Sequence, residues 1–184
     1  MRIISGKYRG KRINPPAGFK VRPTTDFARE SLFNILSNRI DYNSIEVLDL
    51  FAGTGCISYE FASRGAENVH LVERDHKNIS FIRRMINEMK LENVKPLHLD
   101  VKAYLKACSY KYDIVFADPP YDLPWLSDIP DLVFGASILK DDGFFILEHP
   151  KHTSFSTHSC FSEHRDYGSV NFTFFSNLPG RRSR

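Results

Sequence analysis

The sequence predicts an α/β fold, a doubly wound and mostly parallel seven-stranded sheet with helices on both faces and antiparallel C-terminal strands. Three observations predict it. From Ile45 onward, short apolar runs alternate with helical patterns, which is the signature of parallel strands joined by crossover helices. A glycine turn, Gly53-Thr54-Gly55, follows the first of these runs and opens a helix, as in folds that bind ligands at the carboxyl ends of their strands. The tail changes character: Arg165–Tyr167 and Val170–Phe175 read as an antiparallel pair joined near Gly168-Ser169.

The elements follow in order. Residues 2–13 read as two short strands around a glycine-bearing turn, a small N-terminal β-hairpin, and Asn14–Gly18 as a loop. Thr24 or Thr25 can cap a helix running to about Asn38, with Phe27, Leu32, Phe33, Ile35 and Leu36 on its apolar side. Glu46–Leu50 is the first strand of the sheet, followed by a helix from about Gly55 to Ser63. Asn68–Val72 is the second strand. Asp75 then caps a helix whose Ile79, Phe81, Ile82, Met85, Ile86 and Met89 recur at three- and four-residue spacing. Val94–Leu99 is the third strand, Val101–Cys108 a short helix, and Asp113–Ala117 the fourth strand. Leu126–Leu139 reads as helix and Gly143–Leu147 as the fifth strand. The whole is Rossmann-like, and 184 residues suit one domain, with 1–22 as a basic arm on a catalytic core of 23–184.

Composition excludes several classes. No stretch approaches the length of a membrane span, and no apolar signal region opens the chain, so a cytoplasmic protein is expected. Cys56, Cys108 and Cys160 are widely spaced with no CxxC pair, which predicts reduced thiols and neither a disulfide framework nor a zinc site. His149, His152, His158 and His164 stand among Ser and Thr at irregular spacing, the pattern of a surface loop more than of a metal site. Net charge is +3, yet residues 1–22 carry +7 and no acidic residue. Arg2, Lys7, Arg9, Lys11, Arg12 and Arg22 are therefore candidates for contact with an anionic partner, nucleic acid first, and Arg181, Arg182 and Arg184 form a second basic cluster.

Acidic residues mark a cofactor half. Asp49 precedes the turn Phe51-Ala52-Gly53-Thr54-Gly55, Glu73 ends the second strand, and Asp100 follows the third. An NAD fingerprint requires a third Gly or Ala where Ser58 stands, and a carboxylate such as Asp49 would repel a pyrophosphate. The same carboxylate favours a ligand with a positive end. S-adenosylmethionine has a sulfonium and an ammonium group but no phosphate. Asp49 suits its cationic amino-acid moiety, Glu73 its ribose hydroxyls and Asp100 its adenine amine.

The chemical half is Asp118-Pro119-Pro120-Tyr121, just past the fourth strand. An exocyclic amine on a nucleobase is a weak nucleophile because its lone pair is delocalised into the ring. Asp118 and a backbone carbonyl of the proline pair can accept both of its N–H groups and draw the nitrogen toward a tetrahedral state. Proline fixes φ and hence the direction of that carbonyl. Tyr121 can stack on a base swung out of its helix.

With both motifs in this order, the chain resembles the class I amino-methyltransferases. Arg2-Ile3-Ile4-Ser5-Gly6-Lys7-Tyr8-Arg9-Gly10-Lys11 and Arg22-Pro23-Thr24-Thr25-Asp26-Phe27-Ala28-Arg29-Glu30-Ser31-Leu32-Phe33-Asn34 narrow the resemblance to the RsmD family. It runs from Arg2 through Glu148 and weakens beyond. It implies S-adenosylmethionine-dependent methylation of the N2 amine of a guanine in 16S rRNA, on small ribosomal subunits, by an enzyme expected to be a monomer without metal. It also implies that Asp49, Phe51, Gly53, Gly55, Glu73 and Asp100 line the cofactor site, that Asp118–Tyr121 hold the guanine, and that Arg2–Arg22 contact RNA. Many relatives have Phe at the place of Tyr121 and Ser at that of Thr54. The same tetrapeptide is compatible with methylation of DNA adenine N6 or a protein glutamine amide. An RNA-binding assembly factor without catalysis is the non-enzyme alternative.

Overall fold

The computed structural model describes residues 1–16 and 26–177. Helix α1 is Asp26–Ser37, β1 Glu46–Leu50, α2 Cys56–Arg64, β2 Asn68–Glu73, α3 His76–Met89 and β3 Val94–His98. Then come α4 (Val101–Ala107), β4 (Tyr112–Ala117), α5 (Ile129–Gly135), β5 (Leu139–His149), β6 (Phe161–Tyr167) and β7 (Val170–Ser176). The sheet order is β3-β2-β1-β4-β5-β7-β6. The pairs from β3 through β5 are parallel, and β7 runs antiparallel to both β5 and β6. This is the predicted seven-stranded, doubly wound arrangement.

Burial follows position. In the sheet interior β1 (Val47–Leu50) and β4 (Ile114–Ala117) are buried on both faces, so they read as apolar runs, interrupted only by Asp49 in β1. At one edge β3 tolerates Pro96, whose missing N–H faces away from the ladder. At the other, β6 carries Glu163, Arg165 and Asp166, which discourage further pairing. That polar edge explains why its first half escapes recognition in the sequence, which predicts a start only at Arg165. One apolar layer joins Leu32 and Phe33 of α1, Phe61 of α2 and Ile82 of α3 to Val47, Phe116 and Phe172. The other joins Leu105 of α4 and Val133 of α5 to Leu48, Val115 and Phe145.

Several expectations are corrected. Residues 2–13 fold back on themselves, but only an isolated bridge, Arg2 to Arg12, pairs them. Turns with positive φ at Gly6 and Gly10 break the would-be strands, and the poor alternation there gives no apolar face to hold them extended. The predicted Leu126–Leu139 helix is a 3-10 turn, Leu126–Asp128, followed by α5. Pro130 fits only in a helix's first turn, so α5 starts at Ile129, and Ser137 (φ 54°) ends the segment before β5. Strand β5 in turn starts four residues ahead of Gly143. Phe27 is 68% exposed, with its ring edge-on to Tyr167 at 6.2 Å, so it is no part of the apolar side of α1. The capping expectation at Thr24 or Thr25 lies outside the described residues.

Two of the four histidines, His149 and His164, also differ from the predicted surface loop, while His152 and His158 lie in the turns between β5 and β6. His149 is fully buried at the end of β5, its Nε2 2.8 Å from Thr173 Oγ1, and burial lowers its pKa. His164 lies on β6 with Nδ1 3.2 Å from the same hydroxyl. Strand pairing to β7, invisible in local sequence, places both. The three cysteines are free. Among the described residues, no helix is long and apolar enough to cross a membrane, and no group of His, Cys, Asp and Glu is placed to hold a metal ion.

Candidate active site

A cavity of about 630 Å3 opens at the carboxyl ends of β1, β2 and β4. Asp49, Phe51, Gly53, Glu73, Asp100 and the stretch Asp118–Tyr121 all line it. Residues far apart in sequence thus share one wall, because parallel strands in the order β3-β2-β1-β4 bring their carboxyl ends to the same side. Gly55 is the exception and does not line the cavity. It caps α2 at φ 82°, and a Cβ there would lie 2.7 Å from the Tyr59 ring, so intramolecular packing accounts for that glycine.

Asp49 is 2% exposed, and Ser58 Oγ donates to its Oδ2 at 2.6 Å. Burial pushes its pKa up to about 7, against the downward pull of the Ser58 hydrogen bonds. Asp49 itself is therefore poised between its protonated and ionised forms near neutral pH. A cation beside Asp49 would draw the proton off. Ser58, the residue that spoils the NAD fingerprint, is the one that holds this carboxylate.

Glu73 is tied on both oxygens: Gly53 N donates to Oε2 and Asp75 N to Oε1, each at 2.7 Å. It locks the glycine turn to the end of β2 and still faces the cavity. Asp100 is exposed and caps α4, its Oδ1 accepting from Lys102 N at 2.9 Å and Ala103 N at 3.3 Å. Phe51 is a non-glycine residue at φ 61°, a conformation that costs about 1–3 kcal/mol and collects at functional sites. Its ring meets Trp125 at 5.8 Å.

Beyond β4, Asp118 is half-buried, Pro119 buried and Pro120 exposed. Pro120 O accepts from Leu123 N at 3.0 Å, closing a turn. The Tyr121 hydroxyl donates to Glu148 Oε1 at 3.1 Å, and Glu148 is buried near the end of β5. The aromatic ring is thereby anchored to the neighbouring strand.

The family described as "Conserved hypothetical protein 95" matches residues 1–176. The chain belongs to this family. Its resemblance to the RsmD family, carried by Arg2–Lys11, Arg22–Asn34, Phe51–Gly55 and Asp118–Tyr121, is borne out by curated relatives. "Ribosomal RNA small subunit methyltransferase D" of Escherichia coli K12 is 31% identical over 148 residues, covering 80% of this chain and 74% of that protein. The protein of the same description from Buchnera aphidicola subsp. Baizongia pistaciae is 33% identical over 148 residues, covering 80% and 75%. Among solved structures, a hypothetical protein of Thermus thermophilus superposes with a TM-score of 0.84 at 28% identity, over 96% of this chain and 99% of that one.

The basic candidates of this family member lie on one segment. Arg2, Lys7, Arg9, Lys11 and Arg12 are exposed. The segment is held on α2, with Ile4 N and Ser5 N donating to the Glu60 carboxylate at 2.8 and 3.1 Å, and Lys7 N to Ser63 O at 2.7 Å. Arg22, Arg181, Arg182 and Arg184 lie outside the described residues. Among the cavity or support residues that the sequence did not single out are Met1, Arg29, Trp125 and Glu148. Trp125 had a signal, as the one tryptophan of the chain, four residues past the tetrapeptide. Arg29 stood out only as part of the stretch that carries the resemblance, and neither it nor Glu148 could be placed at the cavity without tertiary packing.

Proposed function

We propose that this chain methylates the exocyclic N2 amine of a guanine in 16S rRNA, with S-adenosylmethionine as methyl donor and the small ribosomal subunit as substrate. The observation that carries it is the shared cavity, lined by the Asp118–Tyr121 stretch and by three acidic residues at the ends of successive strands. The relatives named as small-subunit rRNA methyltransferases support the substrate class. The donor set fits the cofactor. Asp49 takes up the ammonium, Glu73 and Asp100 offer oxygens to ribose and adenine, and the volume accommodates a nucleoside with its side chain. The bound cofactor supplies an already activated methyl group.

The chain's own residues prepare the nucleophile. Asp118 accepts one N–H of the guanine amine. Pro120 O already accepts from Leu123 N, and Pro119 O, its direction set by two rigid rings, is the second acceptor. Tyr121, fixed by Glu148, stacks on the base. Positioning for in-line attack supplies the rest of the acceleration. The exposed basic residues of 1–12 meet the RNA backbone.

Purified chain with labelled S-adenosylmethionine and unmethylated small subunits is expected to yield N2-methylguanine by nucleoside mass spectrometry. Unchanged guanine overturns the proposal, and N6-methyladenine in DNA or a methylated glutamine amide redirects it. Asp118→Ala should lower turnover by about 10²–10³-fold or more with cofactor affinity nearly intact. Equal loss of both would place Asp118 in the cofactor site or the fold.

A further inference from the structure

Phe27 stands in the first turn of α1 and is the most exposed large apolar side chain among the described residues. A single exposed apolar side chain is ordinary on a protein surface, so its surroundings decide what it means. Its ring lies at 76° to that of Tyr167, with 6.2 Å between centroids. An edge-to-face contact of this kind covers at most one face of either ring. Tyr167 is itself half-buried and packs on Phe172 at 6.0 Å. Phe27 is therefore braced by a ring fixed to the sheet, while most of its own surface meets solvent.

The sheet register fixes where this pair stands. Strand β7 runs antiparallel to β5, with Asn171 opposite His149 and Phe172 opposite Glu148. Tyr167 pairs with Val170, so the β6–β7 turn lies just beyond the carboxyl end of β5. That is the edge where Asp118 follows β4 and where Glu148 accepts from the Tyr121 hydroxyl. Arg29, two residues along α1 from Phe27, lines the cavity. In sheet order Asp100 follows β3, Glu73 is on β2, Asp49 on β1 and Asp118 after β4, and the aromatic pair stands past β5. The pair is thus on the side of the tetrapeptide away from the acidic residues. From β4 to β6 is three strand spacings, about 14 Å. That is too far to touch a base held at Asp118, and near enough for another nucleotide of the same strand.

Charge at this rim favours a base over a phosphate. Asp26 and Asp166, each next in sequence to one of the two rings, are exposed. Asp26 pairs with Arg29 at 2.8 Å, and Asp166 Oδ1 accepts from Gly168 N at 2.8 Å. Carboxylates beside the rings repel a phosphate brought against them, whereas a nucleobase offers a neutral π-face. Cations for the backbone stand close by. Arg2 and Arg12 are exposed and their backbones bridge, and the Arg2 carbonyl accepts from Arg29 Nη2 at 2.6 Å. We infer that Phe27, braced by Tyr167, stacks on an unpaired base that neighbours the target guanine in the rRNA. This rests on the reading of the chain as an rRNA guanine methyltransferase. The contact positions the strand and takes no part in the methyl transfer.

The test is steady-state methylation of unmethylated small subunits by the full chain. Phe27→Leu keeps an apolar side chain without a π-face, and is expected to raise KM for the particle about five- to fiftyfold with kcat within about twofold. Phe27→Tyr, which keeps the ring, should stay within about twofold of the wild type on both. The log–log salt slope of rRNA binding should be the same for Phe27→Leu as for the wild type, because a stack releases no counterions. Titration with S-adenosylhomocysteine, expected within about twofold of the wild type, checks that both variants are folded. An unchanged KM in Phe27→Leu overturns the inference, as does equal loss in Phe27→Leu and Phe27→Tyr. A shallower salt slope overturns it by placing a phosphate at the ring. Weakened S-adenosylhomocysteine binding overturns it by assigning Phe27 to the fold or the cofactor site. A wild-type chain that leaves the guanine unmethylated overturns the functional reading itself, and the stacking assignment falls with it.

Discussion

Asp49 and Ser58 form a pair whose energetics favour function over stability. Burial raises the folded-state pKa of Asp49 from 3.8 to about 7, so the folded chain holds this proton more tightly than the unfolded one. The stability available below pH ~4 is then lost as pH rises toward 7, by at most about 4 kcal/mol for a shift of this size. Asp49→Asn keeps an acceptor for Ser58 Oγ and removes the penalty. Its melting temperature should match the wild type near pH 4 and exceed it increasingly up to pH 8, while affinity for S-adenosylhomocysteine falls. A melting difference that does not vary with pH would show that Asp49 is already ionised in the free site. The residue was legible as acidic and strand-borne, and the cationic ligand proposed for it follows from charge alone. Its protonation was not, because that depends on Ser58, Glu73 and the covering layers being in place.

At the scale of elements, the N-terminal segment shows how a short stretch without strands can still be fixed. Ile3 and Ile13 enter the core, and the backbone between them hangs on Glu60 and Ser63 of α2. Glu60 is shared with Arg64 Nε at 2.9 Å, and the Arg64 guanidinium lies 4.7 Å from the Phe33 ring centroid. Gly6 is required at the closest approach: φ is 80° and a Cβ would stand 1.8 Å from Ser63 O. Gly6→Ala is expected to destabilise the fold by about 1–3 kcal/mol and to expose residues 1–13 to limited proteolysis. An unchanged cleavage pattern and melting temperature would mean the segment is not docked there in solution. The elements with their own signals were read almost to the residue: β1 by its apolar run, α3 by its cap at Asp75 and its apolar spacing. Those that depend on a partner were not. Half of β6 and the start of β5 become strands through ladder pairing, against polar local sequence.

Across the whole molecule, charge is segregated: the segment 1–22 carries +7 in a chain of +3. Phosphate contacts release counterions, so reversing Arg9 and Arg12 together should weaken rRNA binding and lower its log–log salt slope by about 1–2. An unaltered slope would remove these two residues from the interface. The segment reaches the cavity wall through Met1 and the Arg2–Arg29 contact, which is how the basic surface and the cavity would meet one substrate on the proposed function. Local sequence was enough for the fold class, the strand-end placement of Asp49, Glu73 and Asp100, and the tetrapeptide Asp118–Tyr121. These are short-range patterns, set by spacing, capping and side-chain chemistry. Tertiary packing was needed to show that Gly55 packs on Tyr59 instead of the cavity, that His149 is core, that Tyr121 is anchored by Glu148, and that Arg29 stands in the cavity wall. Each of these depends on a contact between distant segments, and no local spacing records where parallel strands and the helices over them bring such residues together.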